Sequence, residues 1–176
     1  MQIALFFLLG ILSLFIAVED FRSRKISLIV LLLWLLSALG SVLLKHSLKE
    51  VFFNAALNCL FVLIVFFILT VYSSAKEKKI INIIDTKIGM GDFIFFLVLG
   101  ISFSPSNYIL FFAASSFLTL IWAISARLLY PKSSKEIPLA GALAVQFIFL
   151  LSLRIFISGF DLYGDAWIIN FLFNNF

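Results

Sequence analysis

Long apolar stretches separated by short polar ones occupy the length of the chain. The first extends from Ile3 to Val18, the second from Ile26 to Leu44 and the third from Val51 to Tyr72. A fourth starts near Gly89 and closes at the turn cluster Ser104-Pro105-Ser106-Asn107. The fifth covers Tyr108 to Ala126, and the sixth covers Ile137 to Ile157. These runs are too long for membrane strands and lack strict alternation, so they predict helices. The fourth is short, about 16 residues or roughly 24 Å at helical rise. The expected fold is all-α: a polytopic membrane protein with about six transmembrane helices. Only Met1 and Gln2 precede the first run, and Glu19-Asp20-Phe21-Arg22 follows it. It lacks the basic start and small-residue cleavage site of a secretory signal and is expected to be a retained helix.

Composition sharpens this picture. Of 176 residues, 64% are hydrophobic, 17% aromatic and 12% charged. A soluble domain carries about 45–50% apolar and about 25% charged residues, so a soluble enzyme, a disordered chain and a disulfide scaffold are excluded. The domain expectation is a six-helix core over residues 1–158 and an aromatic tail over 159–176. Tyr163 and Trp167 of that tail suit a membrane interface. Cys59 is the chain's one cysteine and His46 its one histidine. No disulfide, zinc cluster or cofactor is therefore expected.

The net charge of +4 suggests a topology signal rather than nucleic-acid binding, and no nucleic-acid partner is expected. Arg22, Arg24 and Lys25 follow the first run. Lys76, Lys78, Lys79 and Lys87 follow the third, and Arg127, Lys132 and Lys135 follow the fifth. The loops on the other side hold only Lys45 and Lys49. The positive-inside rule then places the basic loops in the cytoplasm. Arg154, inside the sixth run, is expected to snorkel to the outer interface.

Ionisable groups at the edge of apolar runs are the candidate chemistry. Glu19 and Asp20 end the first run, and Asp92 opens the fourth. The topology sets all three at the same face. Two carboxylates on different helices at matching depth can share one proton, so that one serves as base and the other as acid. Such a pair activates water against a peptide carbonyl and protonates the leaving amine, with no metal or cofactor. Asp92 lies in Gly89-Met90-Gly91-Asp92, where the glycines allow close backbone approach and a bend at the helix start.

Gly89-Met90-Gly91-Asp92 resembles the GxGD signature of intramembrane aspartic peptidases, and the chain looks most like the type IV prepilin peptidase family. In that family the first aspartate follows helix 1, then a basic stretch and Ile-Pro. Asp20-Phe21-Arg22-Ser23-Arg24-Lys25-Ile26-Ser27 is similar, with Ser27 in place of Pro. Ile137-Pro138-Leu139-Ala140-Gly141-Ala142-Leu143 resembles the start of the family's last core helix. Ile94 departs from the family's frequent Lys. With no cysteine-bearing insertion, the likeness is to the short, peptidase-only members. It implies that Asp20 and Asp92 are catalytic and that Gly89, Met90 and Gly91 shape the backbone around Asp92. It further implies a prepilin-like membrane protein substrate, cut just before its hydrophobic segment at the cytoplasmic face of the cell membrane.

Plainer readings stand beside these. Asp92 is well placed as a helix cap, Asp20 as a solvated loop charge with Glu19 competing for its role, and Asp85 beside Lys87 as a solvated pair. A non-enzymatic membrane component, such as a transporter subunit or assembly factor, or an inactive peptidase relative, is the alternative function.

Overall fold

The computed structural model describes residues 2–84, 86, 88–129, 138–156 and 161–165. Asp85, Lys87, Pro131, Lys132, Lys135, Ile137 and Trp167 lie outside the described residues. Six helices are seen: α1 (Gln2–Ser23), α2 (Leu28–Leu43), α3 (Leu48–Glu77), α4 (Met90–Leu99), α5 (Pro105–Leu129) and α6 (Leu139–Phe156). The protein is an all-α membrane protein. α1, α3 and α5 are long and apolar enough to cross a bilayer, whereas α2, α4 and α6 are shorter. At 10 residues, α4 is about 15 Å long, half the hydrocarbon thickness of about 30 Å. A 3-10 turn over Gly100–Ser102 prolongs it.

Helix ends differ from the apolar runs in an instructive way. α1 continues past Val18 to Ser23, α3 past Tyr72 to Glu77, and α5 past Ala126 to Leu129. Polar residues add turns at one end of each long helix, because hydropathy marks the lipid contact and not the backbone hydrogen bonding. Glu19, Asp20, Lys76 and Arg127 are therefore helical residues, not loop residues. α5 also starts earlier than expected, with Pro105 in its first turn, where a missing N–H costs nothing.

Lipid is as apolar as leucine, so burial from water cannot hold these helices together; close packing and hydrogen bonds must. Small residues are accordingly interspersed along the buried faces. They are Ser13 and Ala17 on α1, Ser37, Ala38 and Ser41 on α2, Ser115, Thr119 and Ala123 on α5, and Ala140 and Ala144 on α6. α1 packs most extensively on α6 and α2. Trp34 sits fully buried at the centre, its indole Nε1 donating to Ser13 Oγ at 2.8 Å. Its ring meets Phe95 at 5.8 Å and Phe147 at 5.3 Å. The outward faces are apolar, with Ile3, Phe52, Phe67, Phe117 and Leu128 all more than half exposed, as contact with lipid requires.

Side chains end the short α4. Asn58 Nδ2 of α3 donates to Gly100 O at 2.7 Å and to Phe103 O at 3.0 Å. The Tyr108 hydroxyl donates to Phe96 O at 2.7 Å. Carbonyls freed where the helix stops inside the protein are satisfied this way, as a dry interior demands.

Residues 161–165 return to the bundle, at the end away from Asp20. Arg154 Nη2 pairs with Asp161 Oδ1 at 2.8 Å, and its guanidinium lies 4.4 Å from the centre of the Phe6 ring. Arg154 is therefore held in a pair. Asn107 Nδ2 donates to the carbonyls of Leu162 and Gly164, and the Ser104 amide donates to Leu162 O. Tyr163, expected in an interface, is buried against Val42 and Val51, with the His46 ring 4.4 Å away.

Candidate active site

The buried face of α1 runs through Leu9, Leu12, Ser13, Ile16, Ala17 and Asp20. These positions follow the helical spacing of three and four, so Asp20 continues the stripe that faces α6. Glu19 points elsewhere: its Oε2 accepts from the Ser27 amide at 2.9 Å and closes the turn between α1 and α2. Asp20, in contrast, is buried at 4% exposure.

Asp92 enters from the start of α4. Gly89 is the N-cap and its carbonyl accepts from the Phe93 amide at 3.1 Å, so Asp92 is the third residue of the helix. From there a side chain can reach back toward the cap residue, and Asp92 Oδ2 does lie beside Gly89. Gly89 has φ −64° and ψ 145°, a conformation open to any residue. Its glycine identity matters for space, since a Cβ would lie 3.3 Å from Asp92 Oδ2. At Gly91 a Cβ would meet the Ile26 side chain at 3.4 Å, an ordinary contact. The chain turns from extended backbone at Gly89 into α4, where loop becomes helix. Met90 is exposed.

The two aspartates converge on α6. Asp92 Oδ1 accepts from Ala140 N at 2.8 Å, and Asp20 Oδ2 accepts from Gly141 N at 2.7 Å. Adjacent amide nitrogens lie about 3 Å apart, so the two accepting oxygens are within about 9 Å of each other. The carboxylates are near enough for their charges to act on one another, and the Arg24 guanidinium acts on both. Arg24 has φ 56°, and its amide donates to Asp20 O at 3.0 Å, ending α1 with a left-handed residue.

Why α6 receives them follows from its sequence. Pro138 is its N-cap, accepting from Ala142 N at 3.1 Å. Proline has no side-chain acceptor for the amides of the second and third helical residues, here Ala140 and Gly141. Acceptors must come from elsewhere in the fold, and Asp92 and Asp20 supply them at the positive end of the helix. Gly141 suits the fit: a Cβ would lie 3.1 Å from Asp20 Oδ2 and 3.1 Å from Phe21 Cε2, so both would have to give way slightly. The Phe21 ring in turn packs edge-on against Trp122 of α5 at 5.8 Å. The amides of Ala140 and Gly141 are the part of this site that motif reading alone passes over. The legible signal was a helix start with a proline cap and two donors left over.

The arrangement thus defines a helical membrane protein with two carboxylates held side by side at a helix N-terminus. The type IV leader peptidase family model matches residues 7–124, and the chain belongs to that family. The matched stretch contains Asp20 and Asp92 and ends before α6. No curated protein and no solved structure matches the chain.

Proposed function

We propose that the protein is an aspartic endopeptidase that removes the leader of a prepilin-like membrane protein, with Asp20 and Asp92 as the catalytic pair. One observation carries this reading. Acids from two helices 72 residues apart in sequence meet on adjacent amides of a third helix. Each carboxylate gives one oxygen to an amide of α6. The carboxylate form of one takes a proton from water as the water oxygen attacks the scissile carbonyl. The protonated form of the other donates to the departing amide nitrogen as the C–N bond breaks, and the pair ends one proton transfer from its starting state.

The basic ends of α1, α3 and α5 support a cytoplasmic site, by the charge bias of Arg22, Arg24, Lys76 and Arg127. The substrate is then a membrane protein with a polar leader and a hydrophobic helix. That helix stays in lipid and approaches from the side. The six helices form the peptidase core over residues 1–158, followed by a tail over 159–176.

One observation favours a second reading: both aspartates cap α6, which suits a purely structural role in an inactive relative or assembly factor. Asparagine separates the two. Its side-chain oxygen still accepts from a cap amide but it cannot exchange a proton at neutral pH. A candidate prepilin is co-expressed with the wild type, Asp20→Asn and Asp92→Asn at matched membrane levels, and leader loss is followed as a gel shift. Cleavage by the wild type alone supports the peptidase. Cleavage by either variant at the wild-type rate removes that residue from the mechanism.

A further inference from the structure

The segment joining α3 to α4 has the form of a strand with one edge taken. Ile81 and Ile83 are buried, while Ile80 is 99% exposed and Asn82 is exposed. This alternation has the period of two that a strand shows. In such a segment the amides and carbonyls of odd and even residues face opposite edges.

The odd edge is bound to the protein. Ile81 N donates to Ser74 Oγ at 3.1 Å, Ser74 Oγ donates back to Ile81 O, and Ile88 N donates to Ile83 O at 3.0 Å. Among the described residues, the even edge has side-chain partners only. Ile84 N donates to Asn82 Oδ1 at 3.1 Å, and Thr86 Oγ1 donates to Asn82 O. Both of these side chains belong to exposed residues. Short polar side chains bonding to nearby backbone in this way substitute for a missing strand.

The edge also leads to the aspartates. Ile84 forms an isolated bridge with Ile88, which directly precedes Gly89, the N-cap of α4, whose first turn holds Asp92. Ile83 anchors the segment in the main core, 2% exposed, so the edge is presented on a fixed base.

We propose that the even edge of residues 80–84 is the docking site for the substrate's backbone, which adds as an extended strand through Ile80, Asn82 and Ile84. Main-chain pairing of this kind grips a peptide whatever its side chains. It also draws the polypeptide out of helical form, so that a carbonyl at the junction of leader and hydrophobic segment stands open to attack. The inference rests on the peptidase reading for the identity of the occupant: the leader–helix junction of a membrane protein, not a second copy of this chain.

The test uses the full chain in vesicles with Asn82→Cys, Cys59→Ser and Asp92→Asn. The probe is a designed substrate with a Lys/Arg-rich leader and a hydrophobic segment of about 20 residues. Single cysteines are placed in turn along its junction, and disulfide cross-linking is scored. The expected result is strong cross-linking at alternate positions, about fivefold or more over their neighbours, as strand pairing dictates. Uniform yields, a rise and fall every three to four positions, no cross-link, or a substrate-independent dimer through the introduced thiols would each overturn the proposal. Cleavage of the same probe by the wild type is measured in parallel. Cleavage without alternation sinks the edge and keeps the peptidase. Alternation without cleavage keeps the edge as a docking site and sinks the peptidase.

Discussion

The two ends of the helix bundle handle acids in opposite ways. At one end Asp161 meets Arg154 at 2.8 Å, Asp165 accepts from Ser104 Oγ at 2.5 Å, and Glu50 meets His46 at 3.0 Å. Each acid has its own partner, and the contacts fasten residues 161–165 across the ends of several helices. At the other end Asp20 and Asp92 are brought toward each other and share the start of α6. Opposite charges or neutral donors matched one to one make a fastening. Like charges gathered on one helix terminus make a site suited to exchanging a proton. The fold spends its paired polar groups on rigidity at one end, which leaves the other free to bring two acids together.

The sharpest way to break this comparison is at the acid pair. Asp20→Asn and Asp92→Asn are each expected to lower cleavage about a thousandfold or more, the upper part of the range for losing an acid or base. Their thermal stability should match the wild type because the cap bonds persist. Asp20→Ala and Asp92→Ala should lose the same activity and also about 1 kcal/mol of stability with the cap. Equal melting curves for Asn and Ala variants would show that the caps contribute nothing.

A smaller effect is expected at Gly141. Gly141→Val forces Asp20 and Phe21 aside, and a displacement near 1 Å costs about a hundredfold in rate. Gly141→Ala, with one methyl at the same contacts, should lose less. The readout is kcat for a cleaved prepilin, with the protein's membrane level held constant. An unimpaired Gly141→Val enzyme would mean that Asp20 is not positioned by this amide.

At the fastened end the expected change is in stability alone. Arg154→Ala leaves Asp161 without its cation and should cost about 1–3 kcal/mol, between the surface and buried limits for a broken pair. It should leave the cleavage rate per folded molecule unchanged. A loss of rate at equal stability would couple the two ends and undo the contrast.

The smallest expected effect is a pH dependence. Burial pushes the Tyr163 hydroxyl above its ordinary value of about 10, a contact with Asn54 opposes this, and Glu50 adds to it. A raised folded value means that the neutral form is favoured in the fold. Its stabilising contribution is complete below about pH 10 and falls as pH rises through the folded value. Tyr163→Phe should flatten this alkaline loss in a thermal-melt series. An identical alkaline slope in the variant would assign it to another group.

Much of the site was legible along the chain, because its signals are local. Gly89-Met90-Gly91-Asp92 marks a helix start, and the apolar runs set both acids at one face. The burial of Asp20 was written in the spacing from Leu9 to Asp20, once α1 was known to continue past Val18. Its continuation was hidden by hydropathy, which falls at Glu19 whether or not the backbone stays helical. The shortness of the fourth run was legible, but not that α4 stops inside the protein at Gly100, since an apolar run reads the same whether it crosses lipid or ends within the bundle.

The amino-acid sequence alone determined the class of the molecule, the number of helices, the end at which the acids gather and the family likeness. Each of these depends on composition, local periodicity or short motifs. Tertiary structure alone decided that Ala140 and Gly141 are the common seat of Asp92 and Asp20, that Glu19 serves the α1–α2 turn, and that Arg154 closes on Asp161. Those outcomes join residues up to 121 positions apart. They depend on which donors each helix end leaves unsatisfied once the bundle has packed, a balance that no single segment contains.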